Sequence, residues 1–263
     1  MAGKLPRMAV YGGTNVDIQA HCRQHFKPGD SNPGSSSLAA GGVGRNIAEN
    51  LVGLGATVEL VTVFGDDDLA AFLMRSCRQS GIDVAASLFL REESSPRYLC
   101  ILDVDGSLVG AVAAMDALDR FDPAVLADRW DPGDRADVVI LDANLPADTL
   151  AAAAERWRGK PILLDTVSAS KAVKALPLLP YVSMIKPNRV EAAILSGLEP
   201  GGEAEALAAA RAIRRAGTAE VFVSLGAGGL LWCGSEGEGI ARPLGLPVVN
   251  VSGAGDAAAA ALA

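Results

Sequence analysis

The stretch Leu246-Pro247-Val248-Val249-Asn250-Val251-Ser252-Gly253-Ala254-Gly255-Asp256, followed by an alanine run from Ala257, decides how this sequence is read. Leu246 to Val251 reads as a buried β-branched strand, the glycines allow a sharp turn, and the alanines begin a helix. That order of elements builds an anion site. The N–H groups of Gly253, Ala254 and Gly255 converge at a helix N-terminus, where unpaired amides and the helix dipole favour a negative group such as a transferring phosphoryl. Asp256 falls in the first helical turn. A carboxylate there either caps the helix or takes a proton from a hydroxyl set in front of the anion site.

The same alternation of strand and helix recurs along the chain. Met8 to Tyr11 is an apolar strand breaking at Gly12-Gly13, and Val43, Ile47, Leu51 and Leu54 repeat at helical spacing before Gly55. A strand follows over Thr57 to Phe64, then a helix opened by Asp66-Asp67-Asp68 and closed by Gly81, then a strand over Ile82 to Phe89. Further strands are expected at 137–142, 161–165, 182–186, 220–225 and 230–233, with helices after Pro146, through Glu191 and from Glu203 to Ala216. This pattern predicts an α/β fold with a doubly wound, mostly parallel central sheet flanked by helices. Two strands, Arg97 to Asp103 and Ser107 to Ala113, are joined across Asp105-Gly106 as a hairpin and interrupt the series. With the polar Gly29 to Ser37 segment they predict a small β-sheet lid over about 14–38 and 95–114 of one domain spanning 1–263.

Composition narrows the partners. The 263 residues are half apolar, enough for one full core, and carry a formal net charge of −8. That charge argues against nucleic acid or an anionic membrane and for a small polar substrate. No apolar run reaches spanning length and no signal-peptide core opens the chain, so a cytoplasmic location is expected. Cys22, Cys77, Cys100 and Cys233 lack CxxC spacing and read as reduced thiols. His21-Cys22-Arg23-Gln24-His25 has no distant ligand pair, so a loop is the better reading than a metal site.

Several polar residues sit where strands end and so can meet over one sheet edge. Asn15 and Asp17 are either turn formers or a means of holding adjacent hydroxyls of a sugar. Gly41 and Gly42 either start a helix or let a substrate lie on backbone, with Asn46 one turn inside. Asn188 and Glu191, three apart, form a cap pair or hold phosphate and Mg²⁺-bound water. Ser224-Leu225-Gly226-Ala227-Gly228-Gly229 is a hairpin turn or a nucleotide-phosphate loop. Neither GxxxxGK[ST] nor a GxGxxG after the first strand is present, which excludes the P-loop and makes a dinucleotide oxidoreductase a poor reading.

Taken in order, the Gly41-Gly42…Asn46 segment, Asn188-Arg189-Val190-Glu191, the Ser224 to Gly229 loop and Gly253-Ala254-Gly255-Asp256 resemble the ribokinase-like (PfkB) family of sugar and nucleoside kinases. The resemblance implies ATP-dependent phosphorylation of a hydroxyl, with Asp256 as base and Gly253, Ala254 and Gly255 as anion hole. It implies Asn15, Asp17, Gly41, Gly42 and Asn46 for the acceptor, Ser224, Gly226 and Gly229 for ATP, and Asn188 with Glu191 for phosphate and Mg²⁺, Glu191 through water. Asn15 to Asp17, Ser31 to Gly34, Gly41 to Leu51 and Tyr98 to Gly106 look most like the branch that phosphorylates pseudouridine. Kinases of ribose, fructose or adenosine, and a noncatalytic nucleoside-binding homologue, are the alternatives. Asn250 is neutral where many members carry an Asp at a monovalent-cation site, which weakens the expectation of K⁺ dependence. Family chains continue past this motif, so the resemblance also implies that the segment completing the adenine pocket is missing from these 263 residues. Lid sheets of the family sometimes pair between subunits, and the edge of the 98–113 hairpin offers a route to a homodimer.

Overall fold

The computed structural model describes residues 5–199, 201–245 and 253–263; the strand expected over Leu246 to Val251, and Asn250 within it, lie outside the described residues. The strands are β1 Arg7–Tyr11, β2 Asn15–Cys22, β3 Gly34–Gly41, β4 Thr57–Val61, β5 Val63–Phe64, β6 Leu88–Phe89 and β7 Arg97–Leu102. They continue as β8 Leu108–Ala114, β9 Val138–Asp142, β10 Ile162–Asp165, β11 Met184–Ile185, β12 Glu220–Ser224, β13 Leu230–Gly234 and β14 Gly237–Ala241.

Along β1, Ala9 and Tyr11 join one apolar cluster while Met8 and Val10 join another, and β9 and β10 alternate in the same way. A strand that is apolar on both sides needs a helical layer on each face, which is the arrangement of a parallel sheet. The main sheet runs β14-β13-β12-β11-β10-β9-β1-β4. Its strands are parallel from β4 through β12, and β13 and β14 extend it antiparallel. On one face the Val43–Gly53 helix packs Ile47, Ala48 and Leu51 with Ala259 and Ala260 of the Ala254–Leu262 helix. The other face carries the helices Ala147–Arg156, Arg189–Ser196 and Glu203–Arg215. From β1 the chain goes to β4 on one side, while β9 lies on the other. A crevice therefore opens between the C-terminal ends of β1 and β9, where ligands of open α/β sheets bind.

The second sheet runs β3-β2-β7-β8 and is only rooted in the core. Val16 is buried with Phe64, Ala70 and Leu73, whereas every residue of β8 is exposed, Val112 to 63%. Here the structure corrects one expectation: His21 stands in β2 rather than in a loop. Asn15 and Asp17 also stand in β2, which sets the turn-former reading aside, and Gly34 to Ser37 form part of β3 in this small sheet. The expected Ile82 to Phe89 strand shrinks to Leu88–Phe89 plus a bridge from Asp83 to Glu59, because Ala85 to Ser87 fold as a turn on the Asp83 carboxylate and the Val84 carbonyl. Cys77, Cys100 and Cys233 are buried free thiols and Cys22 is half-buried. Among the described residues no helix is long and apolar enough to cross a membrane.

Candidate active site

Burying a polar group is unfavourable unless it is paired, so buried polar side chains mark places where the fold has been committed to something other than packing. Thr14, Asn15, Arg45, Asp142, Asp165, Thr166, Lys186 and Glu191 are all buried, and each follows a central strand or opens the next helix.

At the crevice, Asp142 ends β9 and accepts hydrogen bonds from Gly13 N at 2.8 Å and Asn144 N at 2.7 Å. Complete burial pushes its carboxyl up to about 7, the Asp165 charge adds to the rise, and the two N–H bonds oppose it. A Cβ on Gly12 would stand 2.2 Å from Asp142 Oδ2, so only glycine lets this loop lie down on the carboxylate. Asn15 Nδ2 donates to Asp17 Oδ1 at 2.6 Å, and burial raises the Asp17 carboxyl against that bond. The other Asp17 oxygen lies over Gly41, where a Cβ would approach it to 2.2 Å. Gly42 has φ 97°, and a Cβ there would meet Gly13 O at 2.5 Å. Asn15, Asp17, Gly41 and Gly42 thus form one largely buried polar cradle in which the two glycines bring backbone up against the Asp17 carboxylate and the Gly13 carbonyl.

The Val43–Gly53 helix leads from this cradle to Asp256. Asn46 Nδ2 donates to Asp256 Oδ2 at 2.8 Å. Asp256 lies in the first turn of the Ala254–Leu262 helix, which opens on Gly253 at φ 75° with no side-chain cap among the described residues. Burial raises the Asp256 carboxyl, the Asn46 bond lowers it, and the charges of Asp165 and Lys186 act in opposite directions. A carboxylate so placed can accept a proton from a hydroxyl in the crevice while the adjacent amides receive an anion.

Beyond Asp256, Lys186 and Asp165 form a buried ion pair at 3.1 Å. Asp165 Oδ2 has no well-aligned hydrogen bond, so the contact is a charge pair rather than a directed bond. Lys186 Nζ would sit 3.5 Å from a Cβ on Gly255, which puts a cation beside the helix N-terminus. Next along the chain, Asn188 and Glu191 make a reciprocal capping box, with Glu191 N donating to Asn188 Oδ1 and Asn188 N to Glu191 Oε2. Thr166 Oγ1 and Asn188 Nδ2 also donate to the Glu191 carboxylate. Asn188 is bridged to Ser224, whose N donates to Pro187 O at 2.9 Å. The following glycines turn β12 into β13, with Gly226 at φ 62° and Gly229 at φ 99° and packed on Ala241 O.

The structure therefore gathers the expected residues into the Asn15, Asp17, Gly41 and Gly42 cradle, the Asn46–Asp256 contact, and an Asn188, Glu191 and Ser224 group. Asp17 and Asp256 make no hydrogen bond to each other. Sequence reasoning missed Asp142, Asn144, Asp165, Thr166 and Lys186; the available signal was the polar residue closing each apolar run, as in Ile140-Leu141-Asp142 and Leu163-Leu164-Asp165.

The pfkB family carbohydrate kinase model matches residues 5–263. The chain belongs to the pfkB family. This pfkB-family chain is 33% identical over 257 residues to the pseudouridine kinase of Escherichia coli (strain K12), covering 97% of the chain and 82% of that protein. It is 25% identical over 252 residues to the ribokinase of Haemophilus influenzae. A putative sugar kinase from Clostridium perfringens superposes with a TM-score of 0.86 at 29% identity, over 98% of this chain and 82% of that one. Arabidopsis thaliana ribokinase complexed with ribose and ATP shares the fold, with a TM-score of 0.78 at 20% identity over 98% and 85% of the two chains. As a pfkB-family kinase the protein is a phosphotransferase with a hydroxyl acceptor.

Proposed function

We propose that this kinase transfers the γ-phosphoryl group of ATP to the 5′-hydroxyl of a nucleoside, with pseudouridine as the foremost acceptor. The observation that carries the chemistry is Asp256 in the first turn of a helix with no side-chain cap among the described residues, oriented by Asn46 and flanked by the Lys186–Asp165 pair. The acceptor lies in the cradle of Asn15, Asp17, Gly41 and Gly42. Asp256 takes the hydroxyl proton as the oxygen attacks phosphorus in line, and the amides of Gly253, Ala254 and Gly255 receive the charge of the transferred group. Ser224, Gly226 and Gly229 line the path of the nucleotide phosphates. The pseudouridine assignment rests on the 33% identity over 97% of the chain and on the segments quoted for that branch.

Both Glu191 oxygens already accept hydrogen bonds from Thr166 and Asn188, which favours holding Mg²⁺ through water over direct ligation. When bound, Mg²⁺ neutralises charge on the phosphates. We read 14–38 and 95–114 as the lid of a single domain, excluding water from the transfer, and the exposed edge and face of β8 as the surface through which two copies pair. A sedimentation mass of one chain across a wide concentration range would contradict the dimer.

Rates of phosphorylation of pseudouridine, uridine, ribose, adenosine and fructose, measured side by side, test the acceptor. Pseudouridine is expected to give the highest kcat/KM. A higher value for any other acceptor sinks that assignment and leaves the kinase chemistry standing.

A further inference from the structure

The run Gly44-Arg45-Asn46-Ile47-Ala48-Glu49 sets an arginine directly before Asn46, and the transfer chemistry has no use for it. Arg45 is nevertheless only 6% exposed. Its Nη1 donates to Asn46 Oδ1 at 3.2 Å and to Ala40 O at 3.3 Å. Its Nη2 donates to Glu49 Oε1 at 2.8 Å and to Ser76 Oγ at 3.0 Å, and its Nε is buried without a partner. Holding a guanidinium there with one donor unsatisfied is unfavourable, so stability alone gives no reason for it.

A guanidinium can only donate. The side-chain oxygen of Asn46 must therefore face Arg45, and its Nδ2 must face the other way, where it meets Asp256 Oδ2 at 2.8 Å. Rotating the amide by half a turn would set NH₂ against the guanidinium and the carbonyl oxygen against the carboxylate, losing both bonds. Ala40, the third contact, precedes Gly41 at the end of β3 and so belongs to the acceptor cradle.

We propose that Arg45 is a positioning residue whose guanidinium fixes the Asn46 amide with its donor toward Asp256 and ties that setting to the end of β3. This rests on the reading of Asp256 as the base. The groups facing Asp256 are Asn46 on the Val43–Gly53 helix, Asp165 at the end of β10 and Lys186 after β11. Arg45 makes no hydrogen bond or ion pair with Asp256, so it acts through the amide.

The test compares Arg45→Lys and Arg45→Met in the full chain, with Asp256→Asn alongside. Lysine keeps the charge, but a single ammonium cannot serve Asn46, Ala40, Glu49 and Ser76 together. Both Arg45 variants are expected to lower kcat about tenfold or more while KM for ATP stays within about twofold. Both are also expected to move the acid limb of kcat/KM to higher pH, because a freed amide no longer holds its donor on the carboxylate. A merely structural arginine would change the melting temperature and leave that limb in place. Arg45→Lys with wild-type turnover and an unmoved acid limb overturns the proposal, as does a loss confined to melting temperature. Should the methionine variant fail to fold, the lysine variant decides alone. Wild-type turnover in Asp256→Asn would instead overturn the base assignment, so the two failures are separable.

Discussion

Two helix N-termini at this site are built in opposite ways. The Arg189–Ser196 helix opens on a complete capping box, with Glu191 buried and both its oxygens occupied. The Ala254–Leu262 helix opens on a left-handed glycine with no side-chain cap among the described residues, and its acidic residue is held from the side by Asn46. The Val43–Gly53 helix shares the second design, opening on Gly42 without a side-chain cap. The bonded carboxylate stabilises its own helix, whereas the carboxylate held from outside does not cap its helix, whose first amides have no side-chain partner among the described residues. Acidic residues in the first turns of two helices are therefore held in different ways.

Exchanging each acid for its amide sharpens this contrast most. Asp256→Asn is expected to lower kcat about 10²–10⁴-fold with melting temperature unchanged, checked by steady-state kinetics and calorimetry. Equal losses of stability and turnover would erase the distinction between the two helices. Glu191→Gln is expected to act the other way, destabilising the fold by about 1–3 kcal/mol in denaturant titration through a lost acceptor. A rise in KM for Mg·ATP in the same variant would support the water-mediated cation site.

Gly42→Ala probes the glycine-opened N-terminus that carries no charge. Its φ of 97° and the 2.5 Å approach to Gly13 O lead us to expect a loss of about 1–3 kcal/mol. KM for the acceptor should rise more than KM for ATP. Equal changes in both would remove Gly42 from the cradle.

The last contrast concerns Asp142, a buried carboxyl with no helix to cap. Its folded carboxyl lies near 7 against an ordinary 3.8, so between those values the folded chain holds a proton that the unfolded chain has released. Stability therefore falls as pH rises through that window, by up to about 1.4 kcal/mol per pH unit from this one group. Asp142→Asn should flatten the slope of unfolding free energy between pH 4 and 7. An unchanged slope would assign the titration elsewhere.

Much of this was legible beforehand. The alternating apolar runs at 8–11, 137–142, 161–165 and 220–225 became β1, β9, β10 and β12, because both-sided apolarity in short runs has few outcomes besides a covered parallel strand. Strands β2 and β3 were not legible. β3 is small or polar and largely exposed, and β2 anchors only Val16 and Ile18 to an apolar cluster among polar and small residues, so pairing with β7 and with each other does most to hold them straight. Site residues read as glycine turns or cap pairs were found through spacing. Asp165 and Lys186 were not, since 21 residues separate them and only the adjacency of β10 and β11 makes them a pair.

By itself the sequence determined the fold class, the glycine-opened helices and the identity of Asp256 as a candidate base, since local spacing and backbone conformational limits specify all three. Tertiary structure alone decided which acid would cap and which would be held free. That choice depends on Asn46 reaching Asp256 across 210 positions and on Thr166 reaching Glu191. Such contacts arise from the packing of helices on a shared sheet, and no local periodicity encodes them.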